Sequence, residues 1–189
     1  MKTVRAFFCL PLPDALLREA ALWLREANDK LPGARWVTRR NLHVTLRFCG
    51  EISEQTAKAL HKRLASPLCE ALAAMPALTL EGTGTFGRPP RVLWAGLGGG
   101  VPQLRALNSL IEDACQAEGL EPDDKRFSPH LTLARFSDPR SARLDRLPPW
   151  TLSGSSWTPE RAVFMRSTLT PAGPNYTPLA VYERSLGKR

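Results

Sequence analysis

The sequence predicts an α+β fold in which two antiparallel sheets, flanked by helices, form two similar lobes related by a pseudo-two-fold axis. Helical and extended segments are interspersed with hairpins along the chain, which favours antiparallel sheets. A His-x-Thr-Leu tetrad at His43 returns at His130, 87 residues later in a chain of 189, and an internal duplication explains this spacing. We therefore expect residues 1–189 to form a single domain whose central cleft carries both tetrads.

The first half of the chain is predicted to contain two strands and two helices. A short apolar run predicts a strand over residues 3–10, and the proline-rich stretch after it argues against a signal peptide. Apolar residues at helical spacing predict an amphipathic helix over residues 14–31. After the first tetrad strand, Ser53 is a candidate N-cap for a helix that runs to about Ala74, and Pro67 is expected to kink or interrupt it.

The second half is predicted to contain hairpins, one helix and the second tetrad strand. A third helix is expected to open at Pro102 and to stop at Gly119. Residues 137–159 are expected to form a long loop with a short helix around residues 142–147. Besides the tetrad strand, alternation and threonine content predict strands over residues 77–86, 91–97, 161–169 and 176–185.

The charge of the chain indicates the class of its partner. The net charge is +8 and the sequence pI is near 9.9, and a basic surface attracts polyanions, of which nucleic acid is the commonest inside cells. The positive residues also gather around the two tetrads, at Arg39, Arg40, Arg47, Lys125, Arg126 and Arg135. We therefore expect a polyanionic substrate that approaches the histidines.

The cysteines and the hydropathy pattern suggest a compartment. The four cysteines show no Cys-x-x-Cys spacing and no metal-ligand pattern, so they are expected to be free thiols in a reducing compartment. No segment approaches the ~20 apolar residues that a membrane helix needs. A cytoplasmic protein is therefore expected.

Each tetrad is predicted to lie on a half-buried strand. Residues two apart in a strand share a face, so His43 and Thr45 project together, and strict alternation adds Arg47 to the same face. His130 and Thr132 repeat the pattern. A given histidine would be followed by this pattern by chance roughly one time in a hundred, and two occurrences are hard to dismiss as coincidence.

Two facing His-x-Thr strands suit chemistry at phosphorus. A tetrahedral anion between them would accept hydrogen bonds from the hydroxyls of Thr45 and Thr132. One neutral imidazole can deprotonate an attacking water while the other, protonated, gives a proton to the departing oxygen. Symmetry leaves open which histidine plays which part. This arrangement requires no metal or other cofactor, and neither metal-ligand spacing nor a Gly-x-Ser-x-Gly elbow is present.

These residues resemble the 2H phosphoesterase superfamily and, within it, the bacterial RNA 2',3'-cyclic phosphodiesterases, historically called 2'-5' RNA ligases. The resemblance covers almost the whole chain. It is carried by Phe7-Phe8, Arg35-Trp36-Val37, Asn41-Leu42-His43-Val44-Thr45-Leu46-Arg47-Phe48-Cys49-Gly50-Glu51, Arg91-Val92-Leu93-Trp94, Phe127-Ser128-Pro129-His130-Leu131-Thr132-Leu133-Ala134-Arg135 and Ser167-Thr168-Leu169-Thr170-Pro171 followed by Tyr176.

The resemblance implies a bilobal α+β fold and metal-independent hydrolysis of a 2',3'-cyclic phosphate at an RNA end, which leaves a 2'-phosphate. It implies that His43 donates the proton to the departing 3' oxygen and that His130 is the proton acceptor that activates water. The same reaction run backwards, with a 5'-hydroxyl in place of water, would join RNA ends through a 2'-5' linkage. The expected partners are tRNA fragments or oligonucleotides with cyclic phosphate ends, bound by a monomer.

Two arginines are further candidates for substrate binding. Arg135 corresponds to a family arginine linked with the substrate, yet strict alternation places it opposite His130, so either the strand bulges between them or Arg135 has a structural role. Arg47, on the predicted face of His43, is the second candidate. Cys49 stands where relatives often carry leucine. The residue that stacks on a base stays open among Trp36, Phe48, Trp94 and Tyr176.

Two other functions fit the same residues. One is a phosphodiesterase for a small cyclic nucleotide or for ADP-ribose cyclic phosphate, which the basic surface would not help. The other is a non-catalytic module that binds the phosphate end of an RNA. Turnover of a cyclic mononucleotide compared with an RNA of the same terminus distinguishes the first from an RNA enzyme, and loss of hydrolysis on His→Ala substitution distinguishes the second.

Overall fold

A computed structural model describes residues 2–138, 142–171 and 173–185. The strands of this part of the chain are β1 (Thr3–Pro11), β2 (Arg35–Trp36), β3 (His43–Ser53), β4 (Leu78–Phe86), β5 (Val92–Gly99), β6 (His130–Arg135), β7 (Ser156–Trp157), β8 (Arg161–Thr170) and β9 (Gly173–Glu183). The helices are α1 (Asp14–Lys30), α2 (Glu54–Ala73) and α3 (Val101–Ala117). The α+β class and the antiparallel pairing of neighbouring strands are confirmed.

The two expected sheets are in fact one. The nine strands of the described residues form a single sheet in the order β7-β4-β5-β6-β3-β1-β8-β9, with β2 beside β6. The two halves join where β3 and β6 run antiparallel, with Val44 opposite Leu131. Alternation predicts the buried face of a strand but not its neighbour. Pairing of β3 with β6 also satisfies backbone groups that two separate sheets would leave at open edges.

The two faces of the sheet have different surroundings. Leu10 and Phe8 of β1 belong to one large buried cluster that includes Val44, Leu131 and apolar residues from all three helices. The alternate residues of β1 point the other way, where Phe7 forms a small second cluster with Cys9 and Val163. The helices therefore cover one face of the sheet and leave the opposite face to the tetrad histidines.

Helix α2 confirms its predicted extent. The prediction ended it at about Ala74, and the structure carries it through Pro67 to Ala73. A proline removes one intrahelical hydrogen bond, but buried leucines on both sides anchor the helix to the core, at Leu60, Leu64, Leu68 and Leu72. The predicted cap is confirmed, because the Ser53 hydroxyl accepts a hydrogen bond of 2.9 Å from the backbone N–H of Thr56.

Short elements account for the remaining differences. The strands β2 and β7 are two residues each, and β7 lies within residues 137–159, where a loop was predicted. The short helix expected around residues 142–147 is a 3₁₀ turn over Leu144–Arg146. None of the helices among the described residues is long and apolar enough to cross a membrane.

Candidate active site

The two tetrads lie side by side at the junction of the two halves. Because Val44 is opposite Leu131 in an antiparallel pair, His43 falls opposite Thr132 and Thr45 opposite His130. The two histidines are then diagonal neighbours on one face, and such neighbours lie roughly 7–8 Å apart. The sheet therefore presents two imidazoles and two hydroxyls around a space the size of one phosphoryl group.

The ring of His43 is held in one orientation by the backbone. Its Nδ1–H donates a hydrogen bond of 2.8 Å to the carbonyl of Asn41, two residues earlier. Its Nε2 lies 3.1 Å from the hydroxyl of Thr45, which donates to the neutral ring. Phe7 stacks on the imidazole at 4.9 Å, and the Tyr176 ring meets it edge-on at 5.5 Å. His43 therefore presents Nε2 as its reactive atom.

His130 repeats this arrangement in the other half of the sheet. Its Nδ1–H donates a hydrogen bond of 2.7 Å to the carbonyl of Ser128, again two residues earlier. Phe86 packs edge-on against the ring with the centroids 4.9 Å apart. In the neutral ring this bond leaves the lone pair on Nε2, as a general base requires. The same hydrogen bond, from Nδ1–H to the carbonyl two residues earlier, thus orients both histidines.

The electrostatics of the site favour the neutral form of both rings. Burial, with a smaller contribution from His130 and Arg135, lowers the pKa of His43 to about 4 against the opposing effect of the Asn41 carbonyl. Burial also lowers the pKa of His130, and Arg135 adds to this effect against the opposing carbonyl of Ser128. With both rings neutral, Arg135 is the group that brings positive charge to the site and would attract an anionic phosphate.

A β-bulge decides the position of Arg135. On β5, Trp94 pairs with Thr132 but Leu93 pairs with Ala134, so Leu133 is an extra residue in β6. The extra residue reverses the alternation, and Arg135, opposite Val92, returns to the face of His130. Of the two alternatives left by the sequence, the bulge is the one that occurs.

The position of Arg47 contradicts the prediction that its side chain shares the face of His43 and binds the substrate. A second bulge lies at Leu46, since Cys9 pairs with Thr45 and Phe8 with Arg47 on the neighbouring strand β1. This bulge turns Arg47 away from His43 and into the interior, where 8% of its side chain is exposed. There its Nε forms an ion pair with Glu112 of α3, and Nη2 donates a hydrogen bond of 2.7 Å to the carbonyl of Glu121. Arg47 is a structural residue.

Aromatic residues complete the site, and sequence reasoning missed two of them. Phe7 and Phe86 contact the two histidines from opposite sides. The sequence could have placed Phe7 on the site face. Its neighbour Phe8 belongs to the main core, and consecutive strand residues face opposite ways. Trp94, a stacking candidate, lies beside Phe86 at 5.3 Å. No group of three or more metal-ligating side chains occurs within the described residues.

The 2'-5' RNA ligase superfamily model matches residues 12–170. An RNA 2',3'-cyclic phosphodiesterase of Thermus thermophilus is 37% identical over 196 aligned positions, which cover 93% of this chain and 88% of that protein. One from Aeropyrum pernix is 41% identical over 107 positions, 56% of this chain. The alignments cover 58% of the Aeropyrum protein and 43% of a Geobacillus stearothermophilus relative, so the chain spans about half the length of these two.

The fold is also similar to solved structures. The crystal structure of E. coli LigT complexed with 3'-AMP superimposes with a TM-score of 0.76 at 26% identity, covering 97% of this chain and 99% of that one. The crystal structure of TT0787 of Thermus thermophilus superimposes with a TM-score of 0.79 at 29% identity, with 95% and 97% covered. These similarities extend over both halves of the sheet.

Proposed function

The chain belongs to the 2'-5' RNA ligase superfamily, and we propose that it hydrolyses the 2',3'-cyclic phosphate at the end of an RNA to a 2'-phosphate without a metal ion. One observation supports this above the others: two imidazoles on adjacent antiparallel strands are each oriented by an Nδ1–H bond to the carbonyl two residues earlier. Both rings thus direct Nε2 toward the same space. The relatives named RNA 2',3'-cyclic phosphodiesterase supply the substrate class.

His130 and His43 divide the proton transfers. The Nε2 of His130 removes a proton from water as the water oxygen attacks phosphorus. The bond from phosphorus to the 3' oxygen breaks on the opposite side, and His43 gives its Nε2 proton to that oxygen. The product carries a 2'-phosphate and a free 3'-hydroxyl. His130 then releases its proton to solvent and His43 takes one up, which restores the starting state for the next cycle. The atoms and charges balance without a further reactant.

The threonines and Arg135 hold the phosphoryl group. Thr45 and Thr132 share the face of the histidines, so their hydroxyls can donate to the non-bridging oxygens. Arg135 reaches that face through the bulge at Leu133, and its guanidinium can pair with the same oxygens in a bidentate manner. These contacts stabilise the negative charge on the phosphoryl oxygens in the transition state, which adds to the catalysis by the two histidines.

The low pKa of His43 fits this scheme once the substrate is bound. A general acid must be protonated, and the free ring is neutral at pH 7. A phosphate anion between His43 and His130 stabilises the protonated form, because an opposite charge within a few ångströms favours the charged state. The substrate therefore brings the proton donor into its active form.

The same site can run in reverse. With a 5'-hydroxyl in place of water, the reaction joins a cyclic phosphate end to a second RNA through a 2'-5' linkage. We propose that the substrates are tRNA fragments or oligonucleotides. We also propose that the protein binds them as a monomer in the cytoplasm. The basic net charge and the free thiols among the described residues support this assignment.

Hydrolysis of a short RNA with a 2',3'-cyclic phosphate end tests the proposal. We expect His43→Ala and His130→Ala each to abolish turnover while binding of the RNA persists. His61→Ala is the matched control, because this third histidine is exposed on α2 and turnover should remain. Turnover that is lost with a chelator and restored by a divalent ion would overturn the metal-free mechanism, and hydrolysis that survives both histidine substitutions would overturn the site.

A further inference from the structure

A second feature of the site face is an exposed aromatic residue beside an arginine. We propose that Phe48 and Arg5 form a platform on which a base of single-stranded RNA stacks, upstream of the reacting 3' end. This inference rests on the proposed function, since it takes the roles of His43 and His130 as given.

The chemistry decides which half of the sheet the RNA chain occupies. In an in-line displacement the attacking water and the departing oxygen lie on opposite sides of phosphorus. The departing 3' oxygen belongs to the terminal ribose and takes its proton from His43. The ribose, and the chain that continues from it, therefore lie on the side of His43, over β3, β1, β8 and β9.

The bulge at Leu46 places Phe48 on that side. Phe48 pairs with Phe7, whose ring stacks on His43, so both phenylalanines share the face of the histidine. Phe48 follows His43 by five residues, as Arg135 follows His130, and the bulges at Leu46 and Leu133 bring both to the site face. The register puts Phe48 about 13 Å from His43, since four residues of β1 separate their partners and each rises about 3.3 Å.

The surroundings of Phe48 suit a nucleic acid base. Phe48 is 39% exposed although its side chain is large and apolar. The guanidinium carbon of Arg5 lies 4.4 Å from the ring centroid, so a cation stacks on the aromatic face. Bases stack on both aromatic rings and guanidinium planes, and such stacking tolerates any base sequence. Phe48 and Arg5 together thus offer two stacking surfaces in one place.

A groove continues from this platform along the RNA path. A cavity of about 460 Å³ is lined by Arg5 and by Lys2 and Arg166, which carry positive charge, together with Glu51 and Glu54. Three cations against two carboxylates leave a net positive charge, which attracts further phosphates of the chain. A single strand that leaves His43 over Phe7 therefore passes Phe48 before it reaches this groove.

The proposal is tested with substrates that differ only in length. A 2',3'-cyclic mononucleotide does not reach Phe48, whereas a hexanucleotide with the same terminal nucleotide does. We expect Phe48→Ala to lower kcat/KM for the hexanucleotide about tenfold, the equivalent of ~1.4 kcal/mol for one stacked base, and to leave the mononucleotide unchanged. Phe48→Trp should restore the hexanucleotide rate, and Phe48→Leu should not, because stacking rather than apolar bulk is needed.

Controls separate this inference from the proposed function. Leu22→Ala removes an even more exposed apolar side chain from α1 and should change neither rate. Equal losses with both substrates, or no loss with the hexanucleotide, would overturn the platform while leaving the hydrolase in place. If the wild-type protein hydrolyses neither substrate, the proposed function fails. Binding of a hexanucleotide with a 2'-phosphate end, compared between wild type and Phe48→Ala, then still decides the platform.

Discussion

The protonation of His43 gives the sharpest test of the site. Its pKa falls from the usual 6.5 to about 4 in the free protein, mainly through burial. At 1.36 kcal/mol per pH unit this difference costs the protonated ring about 3.4 kcal/mol. At pH 7 only about one molecule in a thousand then carries the proton. A nucleoside 2'-phosphate bound between the histidines should raise this pKa.

NMR titration of the three histidine rings measures the effect directly. We expect His43 to titrate near pH 4, well below the usual 6.5, in the free protein and to move to higher pH when the 2'-phosphate is added. The bell-shaped profile of kcat should accordingly lie at higher pH than that of kcat/KM, because the first reports the complex and the second the free enzyme. A free His43 that titrates at 6.5 or above, or one that ignores the bound anion, would refute the reasoning.

The same pKa has a consequence for folding. Because the folded value lies below the unfolded value, the neutral ring contributes stability that is complete above pH 6.5 and is lost as the pH falls toward 4. The loss at pH 4 is about 3 kcal/mol. His43→Gln, which does not titrate, should show a correspondingly smaller fall in the free energy of unfolding between pH 7 and pH 4.

Three further predictions concern residues around the site. Arg135→Ala should lower kcat/KM about tenfold to a hundredfold, as expected for a lost charge-assisted hydrogen bond, and raise the pKa of both histidines in the same titration. Arg47→Met should lower the free energy of unfolding by about 3 kcal/mol, and adding Glu112→Leu should recover much of the loss, as thermal unfolding would show. Gly84→Ala should reduce both stability and turnover, because a Cβ at this position would overlap the indole of Trp94.

The site could be predicted from sequence as far as alternation holds. His43, Thr45, His130 and Thr132 share a face as predicted, because no irregularity lies between the histidine and the threonine of either tetrad. Directly after each threonine, the bulge at the tetrad's leucine reverses the alternation. Neither bulge carries a glycine or proline that would have marked it.

These bulges explain why the two arginine predictions ended differently. Arg47 is the first residue after its bulge and turns into the core, whereas Arg135 is the second and returns to the site. Strict alternation would have exchanged their places. The pairing of β3 with β6 could not be predicted from the sequence either. A hydrophobic pattern shows which face of a strand is buried, but it does not show which strand lies beside it.

The junction between the two halves limits how the site can vary. Among the described residues, Val44 and Leu131 form the one backbone pair between β3 and β6, and both are fully buried. The distance between the two imidazole rings is thus set by the main-chain geometry at the Val44–Leu131 pair. Side chains on the outer strands can therefore change without moving the two imidazoles relative to each other.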